Sequence, residues 1–392
     1  MNKEKNYFVV VHYGEIALKG KNRPFFENAL VKNIKLALQG LDYDSVKKIS
    51  GRVLIKLNKK SDIDKIKNKL EKVFGIEYFS FAFECRQDVK TIGSLALLNI
   101  KNKKFKKFKV NTKRSEKSFK LTSQQINEKV GAFLKEKLKK KVDLERPDLT
   151  VFVEIVEGKA FVYFEKTAGL GGLPVGVSGK VASLISSGID SPVAAYKAMK
   201  RGLQVVFVHF HSYPYTNKNS ISKTIRLVEL LNKYQYSSKI YLVPFSEIQN
   251  EIVTKTPPAL RVILYRRFMV RISEEIAKKH GAKGLVTGES VGQVASQTLD
   301  NIYVINSAAS MPVLRPLIGE DKKDIINSAQ RIGTYDISIE PHDDCCSLFL
   351  PKNPATHAKL EEIENAEGAL DINNLIKNAI EKAEVKQINK LE

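Results

Sequence analysis

Apolar and polar positions follow one spacing in the first part of the chain and another in the second. Residues 7–13 are β-branched and aromatic, which suits a strand. Residues 24–39 place Phe26, Ala29, Leu30, Ile34 and Ala37 on one helical face. Residues 52–57 return to strand alternation and 63–74 to helical spacing, a rhythm that fits a small ferredoxin-like α+β unit. A second unit follows, with a strand at 76–83, a helix near 88–98 and a basic strand at 106–112. A helix over 122–139 opens on the capping sequence Thr122-Ser123-Gln124-Gln125, and strands 150–156 and 160–165 form a hairpin through Glu157-Gly158-Lys159.

Residues 169–176 then hold four glycines and a proline, the mark of a linker or a shaped turn. Longer repeats begin beyond it: strand 180–185, helix 191–201, strand 203–210, helix 220–233, strand 239–244, helix 259–280, strand 284–287 and a helix near 321–332. Strands alternating with helices predict a parallel, doubly wound α/β sheet with ligands at the strand C-termini. Residues 356–392 read as charged surface helix without a motif.

Composition narrows this picture. A chain of 392 residues implies two or three domains, and 43% hydrophobic residues argue against global disorder. No apolar run approaches the roughly 18 residues of a membrane span. The first residues pass straight into strand pattern, unlike a signal peptide, so a cytoplasmic protein with no membrane contact is expected. Lysine and arginine number 65 against 43 acids, a net +22. A solvated lysine-rich surface is the bland explanation. Local concentration favours a nucleic-acid partner instead, because residues 101–120 hold ten Lys or Arg and one acid, Glu116.

Cys85, Cys345 and Cys346 are too few and too unevenly spaced for a disulfide framework, and without Cys-x-x-Cys a zinc ribbon or iron–sulfur cluster is not expected. Cys85 sits in an apolar strand and reads as structural. The adjacent pair suits thiol chemistry, or else two small buried side chains.

The most informative stretch is Ser186-Ser187-Gly188-Ile189-Asp190-Ser191, where a strand runs directly into a helix with Pro192 near its start. Small residues let the backbone approach an anion, a helix N-terminus offers free N–H groups, and Ser186 and Ser191 add hydroxyls. It is neither a Walker A loop nor Gly-x-Gly-x-x-Gly. The loop resembles the Ser-Gly-Gly-x-Asp-Ser pyrophosphate loop of N-type ATP pyrophosphatases, which cleave ATP to AMP and pyrophosphate. Ser187 departs from it by replacing the first glycine. If that position needs φ > 0 the serine is strained; if not, its N–H still donates to phosphate.

Essentially the whole chain is similar to the tRNA 4-thiouridine synthetases (tRNA sulfurtransferases). The resemblance rests on Gly14-Glu15-Ile16-Ala17-Leu18-Lys19-Gly20-Lys21-Asn22-Arg23 with Phe26-Glu27, Lys113-Arg114-Ser115-Glu116-Lys117-Ser118-Phe119 and Gly172-Leu173-Pro174-Val175-Gly176. It rests also on Thr287-Gly288-Glu289-Ser290, Gln293-Val294-Ala295-Ser296-Gln297-Thr298 and Asp344-Cys345-Cys346. It implies a ferredoxin-like domain over 1–60, an RNA-binding THUMP domain over 61–166, a linker over 167–178 and an ATP pyrophosphatase domain over 179–392. The implied reaction adenylates O4 of uridine 8 in tRNA and replaces it with persulfide sulfur, giving 4-thiouridine, AMP and pyrophosphate.

Site residues follow by motif. Asp190 would be the catalytic carboxylate, or a cap of its helix, and Cys345 or Cys346 would handle sulfur. Leu184, Ile185, Ser186, Ser187, Gly188, Ser191, His209, Phe210, Arg266, Gly288 and Gln297 would bind ATP with its Mg²⁺, although Arg266 reads equally as a surface cation. His209 and His211 make too sparse a set for a metal site. Lys109, Lys113, Arg114 and Lys117 would meet RNA phosphates, while Phe105, Phe108 and Phe119 read as core. Some members carry a C-terminal rhodanese domain that this chain is too short to include. Sulfur is therefore expected in trans, from a cysteine desulfurase or another persulfide or sulfide donor, and the family's link to thiamine depends on that domain. A tendency to form homodimers comes with the resemblance. The rivals are another pyrophosphate-loop enzyme, such as a tRNA lysidine synthetase or an amide-forming synthetase, and a non-catalytic RNA-binding protein.

Overall fold

The computed structural model describes residues 7–115, 119–216, 218–341, 349, 351 and 353–389. The chain forms two compact units that divide between Pro174 and Val175.

The first unit runs β1 (Tyr7–His12), α1 (Arg23–Ala37), β2 (Ser45–Ile49), β3 (Arg52–Lys56), α2 (Ile63–Leu70), β4 (Tyr78–Arg86), α3 (Val89–Ile100), β5 (Lys107–Arg114), α4 (Ser123–Leu138), β6 (Lys141–Val142), β7 (Leu149–Val156), β8 (Lys159–Tyr163) and β9 (Thr167–Ala168). The two units expected from the sequence share one sheet here. Among the described residues its strand order is β2-β3-β1-β4-β8-β7-β5-β6, with β9 beside β4. The Thr122 capping box opens α4 as its sequence suggests.

Alternation along the strands sorts this sheet's two faces. Phe108, Val110, Val151, Val153, Ala160 and Val162 pack with Ile92 and Ala96 of α3 and Ile126, Val130 and Leu134 of α4. Residues one position out of step, Phe8, Val10, Ala82, Phe161 and Tyr163, form a second core on the other face. Buried Glu154 lies on that second face, where Tyr163 donates to it at 2.7 Å. His12 Nε2 stands 2.8 Å from it and Arg52 Nε 2.9 Å. Arg52 is on β3 and Glu154 on β7, four strand steps apart, which is roughly 19 Å on a flat sheet. The ion pair therefore requires the sheet to curl. Burial pushes the Glu154 carboxyl up, but His12, Arg52 and Tyr163 outweigh it and leave it below the ordinary glutamate range.

The glycine-rich stretch is a shaped turn within this unit. Gly169 N donates to Glu77 O, and Gly171 exchanges backbone hydrogen bonds with Ile76 and Gly75, all at 2.8 Å. A Cβ at Gly169 would sit 2.2 Å from Ile76 O.

The second unit runs β10 (Lys180–Leu184), α5 (Asp190–Lys200), β11 (Gln204–His211), α6 (Asn219–Gln235), β12 (Ser237–Pro244), α7 (Ser246–Lys255), α8 (Arg261–Lys279), β13 (Leu285–Val286), α9 (Leu299–Asn306), β14 (Val313–Leu314), α10 (Lys322–Ile332), α11 (Tyr335–Ser338), α12 (Leu360–Glu367), α13 (Ile372–Glu381) and β15 (Glu384–Asn389). Strand order is β14-β13-β10-β11-β12-β15, parallel except for β15, which pairs antiparallel with β12. This is a doubly wound sheet whose order reverses between β10 and β13, leaving a crevice at their C-terminal ends.

The C-terminal stretch differs from its expected form as plain surface helix. Ile363, Leu370, Leu375 and Ala379 enter the main core, and β15 closes the sheet edge. Glu367 is buried and is held by the guanidiniums of Arg267 (2.8 Å to each oxygen) and Arg271 (2.6 and 2.9 Å). No described helix is long and apolar enough to cross a membrane.

Candidate active site

Apolar β10 delivers the chain to residues 186–191, and α5 begins at Asp190. The serine hydroxyls close this loop on itself. Ser186 N donates to Ser191 Oγ at 2.9 Å, the two hydroxyls lie 3.0 Å apart, and Gly188 N donates to Ser186 Oγ at 3.3 Å. Ser187 is 2% exposed. It is not among the described non-glycine residues with positive φ, which are Lys139, Glu157, Tyr236 and Phe349. The backbone there asks nothing special of a serine, so the strained alternative does not apply.

Above the loop lies an open cleft of about 710 Å³, mouth included. Leu184 lines it from the end of β10 and Ile185 from just beyond, His209 and Phe210 from β11, Arg266 and Met269 from α8, and Thr287, Gly288, Glu289 and Gln297 from the segment after β13. Ser186, Asp190 and Ser191 form its floor, whereas Ser187 and Gly188 are not among the lining residues. Gly188 O instead accepts from Ser338 Oγ at 3.2 Å, which ties α11 to the loop.

Asp190 does not cap α5. Its Oδ2 accepts from Gln293 Nε2 at 2.9 Å, and its Oδ1 lies 2.6 Å from Lys322 Nζ. A carboxylate in the first turn of a helix is favoured by the helix dipole, and Lys322 brings a cation to the same spot. Glu289 accepts from Thr287 Oγ1 and Arg315 Nε, both at 2.8 Å, while Arg266 Nη1 stands 3.7 Å away. Arg266 is thus a cleft residue oriented by a buried carboxylate. His209 Nδ1 lies 3.0 Å from Ile185 O. A carbonyl only accepts, so Nδ1 carries a proton in this contact.

Two observations shape this cleft for a ligand that can donate a hydrogen bond. A Cβ on Gly288 would come within 2.8 Å of the Ser191 backbone, so only glycine lets the segment after β13 close on the N-terminus of α5. Gln297 is buried, and its Oε1 has no hydrogen-bond partner among the described residues. Such an acceptor is costly unless a ligand supplies a donor.

Sequence reasoning missed Lys322, Gln293, Glu289, Thr287 and Met269. Gln293, Glu289 and Thr287 lie inside motifs already singled out, but nothing local marks Lys322, 132 positions beyond Asp190. Cys345, Cys346 and Lys117 lie outside the described residues.

In the first unit, alternation along β5 places Phe108 and Val110 in the core and Lys109 and Lys113 on the other side. Lys109 Nζ donates to Leu144 O at 3.1 Å and Lys113 Nζ to Tyr78 OH at 3.4 Å. Arg114 is tied inward, its Nη1 donating to Phe119 O and Leu121 O at 2.7 Å each. Phe105 and Phe108 are buried in this core, and Phe119 packs against it. Burial pushes the Cys85 thiol up to about 12, so it is an inert thiol.

The family model described as Thiamine biosynthesis protein (ThiI) matches residues 176–372, the ThiI ferredoxin-like domain residues 8–80 and the THUMP domain residues 60–165. A probable tRNA sulfurtransferase of Caldanaerobacter subterraneus subsp. tengcongensis is 47% identical over 94% of this chain and 97% of its own length. The chain belongs to the ThiI family of tRNA sulfurtransferases. A second ThiI relative, from Thermus thermophilus and also named probable tRNA sulfurtransferase, is 43% identical over 95% of this chain and 92% of its own length. Among solved structures, a 4-thiouridine synthetase in complex with RNA and bound ATP aligns with a TM-score of 0.88 at 36% identity. It covers 98% of this chain and all of that one. A Pyrococcus horikoshii protein aligns at 0.64 and 27% identity over 83% of this chain. The ThiI fold thus combines a ferredoxin-like α+β unit and a THUMP domain with a doubly wound pyrophosphate-loop domain.

Proposed function

We propose that this protein is an ATP-dependent tRNA sulfurtransferase that converts uridine 8 of tRNA to 4-thiouridine. Uracil O4 attacks the α-phosphorus of ATP and pyrophosphate leaves. The outer sulfur of a persulfide then adds at C4 and AMP departs with the former O4. A second thiol attacks the S–S bond that still joins the sulfur to its carrier, so 4-thiouridine is released and a disulfide forms for an external thiol to reduce. Uracil oxygen is a poor leaving group, and adenylation makes it a good one. The carrying observation is the cleft at the sheet's reversal point, floored by the 186–191 loop and closed by Gly288, in a ThiI-family chain.

The adenosine side is read onto Leu184, Ile185, His209, Phe210, Arg266 and Gln297. The loop N–H groups and Lys322 face the phosphates, and Asp190 orients the reacting groups. Mg²⁺ arrives with ATP and supplies charge neutralisation on the phosphates. Cys345 or Cys346 takes up sulfur by thiolate attack on a persulfide supplied in trans by a cysteine desulfurase or another donor, whose own thiol leaves; a sulfide source instead adds its sulfur at C4 directly. Ser338, whose hydroxyl donates to Gly188 O of the loop, precedes Cys345 by seven positions in the sequence. The protein acts in the cytoplasm as a homodimer on this reading.

Mass spectrometry of tRNA nucleosides tests it. Purified enzyme with ATP, Mg²⁺, sulfide and unmodified tRNA transcript should form 4-thiouridine, and Asp190→Ala should abolish it. Unchanged 4-thiouridine in tRNA from a deletion strain would sink the assignment. Single Cys345→Ser and Cys346→Ser enzymes, assayed with sulfide and with a desulfurase, identify the carrier.

A further inference from the structure

An open groove of about 1290 Å³, mouth included, runs along the flank of the second unit, between the later turns of α5 and α10 and the segment leaving β14. Five cations line it, Lys197, Lys200, Arg201, Arg315 and Arg331, and no described acidic residue does. Lys197 pairs with Glu320, and Arg315 with Glu289 at 2.8 Å. Among the described residues neither Lys200 nor Arg331 makes an ion pair. A helix dipole accounts for Lys197 and Lys200 in the last turn of α5 and for Arg331 in that of α10. It does not account for Arg315 joining them from beyond β14, and although Lys197 and Arg315 carry carboxylate partners, Lys200 and Arg331 add their charge to the same concavity. A polyanion filling the groove neutralises that charge.

We propose that this groove docks the phosphate backbone of the RNA substrate. The proposal rests on tRNA being that substrate, as read above. Geometry supports the placement, because α5 joins the groove to the catalytic loop. Asp190 opens the helix and residues 196–201 lie six to eleven positions on, roughly 9–16 Å along its axis. At about 3.4 Å per nucleotide of a stacked strand, that is roughly three to five nucleotides from the base entering the cleft. Arg315 ties the two sites together, since it faces the groove while sharing Glu289 with Arg266 of the cleft. A second copy of this chain is the poorer occupant of this groove, because a chain of net +22 has few anions to offer its five cations, whereas RNA brings a phosphate at every nucleotide.

The test uses full-length protein and an unmodified tRNA transcript. Lys200→Glu/Arg331→Glu and the milder Lys200→Gln/Arg331→Gln avoid both ion-paired cations. For either pair the slope of log affinity against log salt should flatten, by about 0.7–0.9 for each phosphate that is no longer neutralised. Charge reversal should weaken tRNA binding at least tenfold near physiological salt and lower kcat/KM for tRNA in step. Affinity for a fluorescent ATP analogue should stay within about twofold, which shows that the cleft is intact. Unchanged affinity and salt slope, with wild-type enzyme thiolating the transcript, overturns the groove alone. A variant that loses dimer in sedimentation with its slope unchanged makes the groove a self-contact and also overturns the proposal. Wild-type enzyme that neither binds nor thiolates the transcript overturns the functional reading and the groove with it.

Discussion

Ser187 stands where related pyrophosphate loops carry glycine, and its ordinary φ removes the reason for glycine there. Its side chain is buried under the loop rather than aimed into the cleft. Ser187→Gly should therefore leave ATP-dependent thiolation within about twofold of wild type. It should lower stability by about 0.5–1 kcal/mol through the freer unfolded chain, as denaturant titration would show. Gly288 is the opposite case. A methyl there meets the Ser191 and Asp190 backbone below 3 Å, and neither neighbour is a flexible side-chain end. Gly288→Ala should cost about 1–3 kcal/mol and weaken ATP binding at least tenfold, measured by calorimetric titration. Lys322 reaches Asp190 from the first turn of α10. Lys322→Met should lower kcat about 10²–10³-fold, the scale of removing one group that stabilises transition-state charge, with a smaller effect on the melting temperature.

At the scale of elements, α12 is fastened to α8 through Glu367. Burial alone would raise this carboxyl. The hydrogen bonds and charges of Arg267 and Arg271 outweigh it and hold it at about 2, against 4.5 for free glutamate. The folded value lies below the unfolded one, so the stabilisation is full above about pH 4.5 and fades as pH falls towards 2. It amounts to about 2–3 kcal/mol. Glu367→Gln should lose at least that much at pH 7, and the gap between variant and wild type should narrow steadily below pH 4.5. A gap that is constant with pH would refute the ion-pair account. None of this was visible in the sequence. Strands β10 and β11 were legible as continuous apolar runs buried on both faces, and helices α5, α6 and α8 by the helical spacing of the apolar residues that they bury. By contrast, α12 opens on Glu361 and Glu362, and β15 joins its sheet through backbone hydrogen bonds that need no apolar side chains. Motifs located the cleft, since its floor and two walls are each continuous in sequence. Lys322 and the Glu367 pair were not legible, because their partners come from distant elements.

For the whole molecule the net +22 makes RNA affinity salt-dependent, but the charges do not contribute alike. In the basic strand β5, Lys107 is paired with Asp143 at 2.7 Å, and Arg114 holds the carbonyls of Phe119 and Leu121. Lys109 and Lys113 each donate to one neutral oxygen, so an arriving phosphate displaces little. Lys109→Glu/Lys113→Glu should therefore weaken tRNA binding uniformly across tRNA sequences and flatten the salt slope by up to about two, roughly 0.7–0.9 per phosphate. Arg114→Ala should act differently. It leaves two carbonyls without their donor, so it should cost about 1–3 kcal/mol of stability. Under conditions where that variant remains folded, its salt slope should match wild type. Filter binding from low to high salt, run beside thermal melts of the same proteins, separates the two behaviours. If Arg114→Ala flattens the slope as the lysine pair does, while its melt is unchanged, its guanidinium belongs to the RNA and not to the turn.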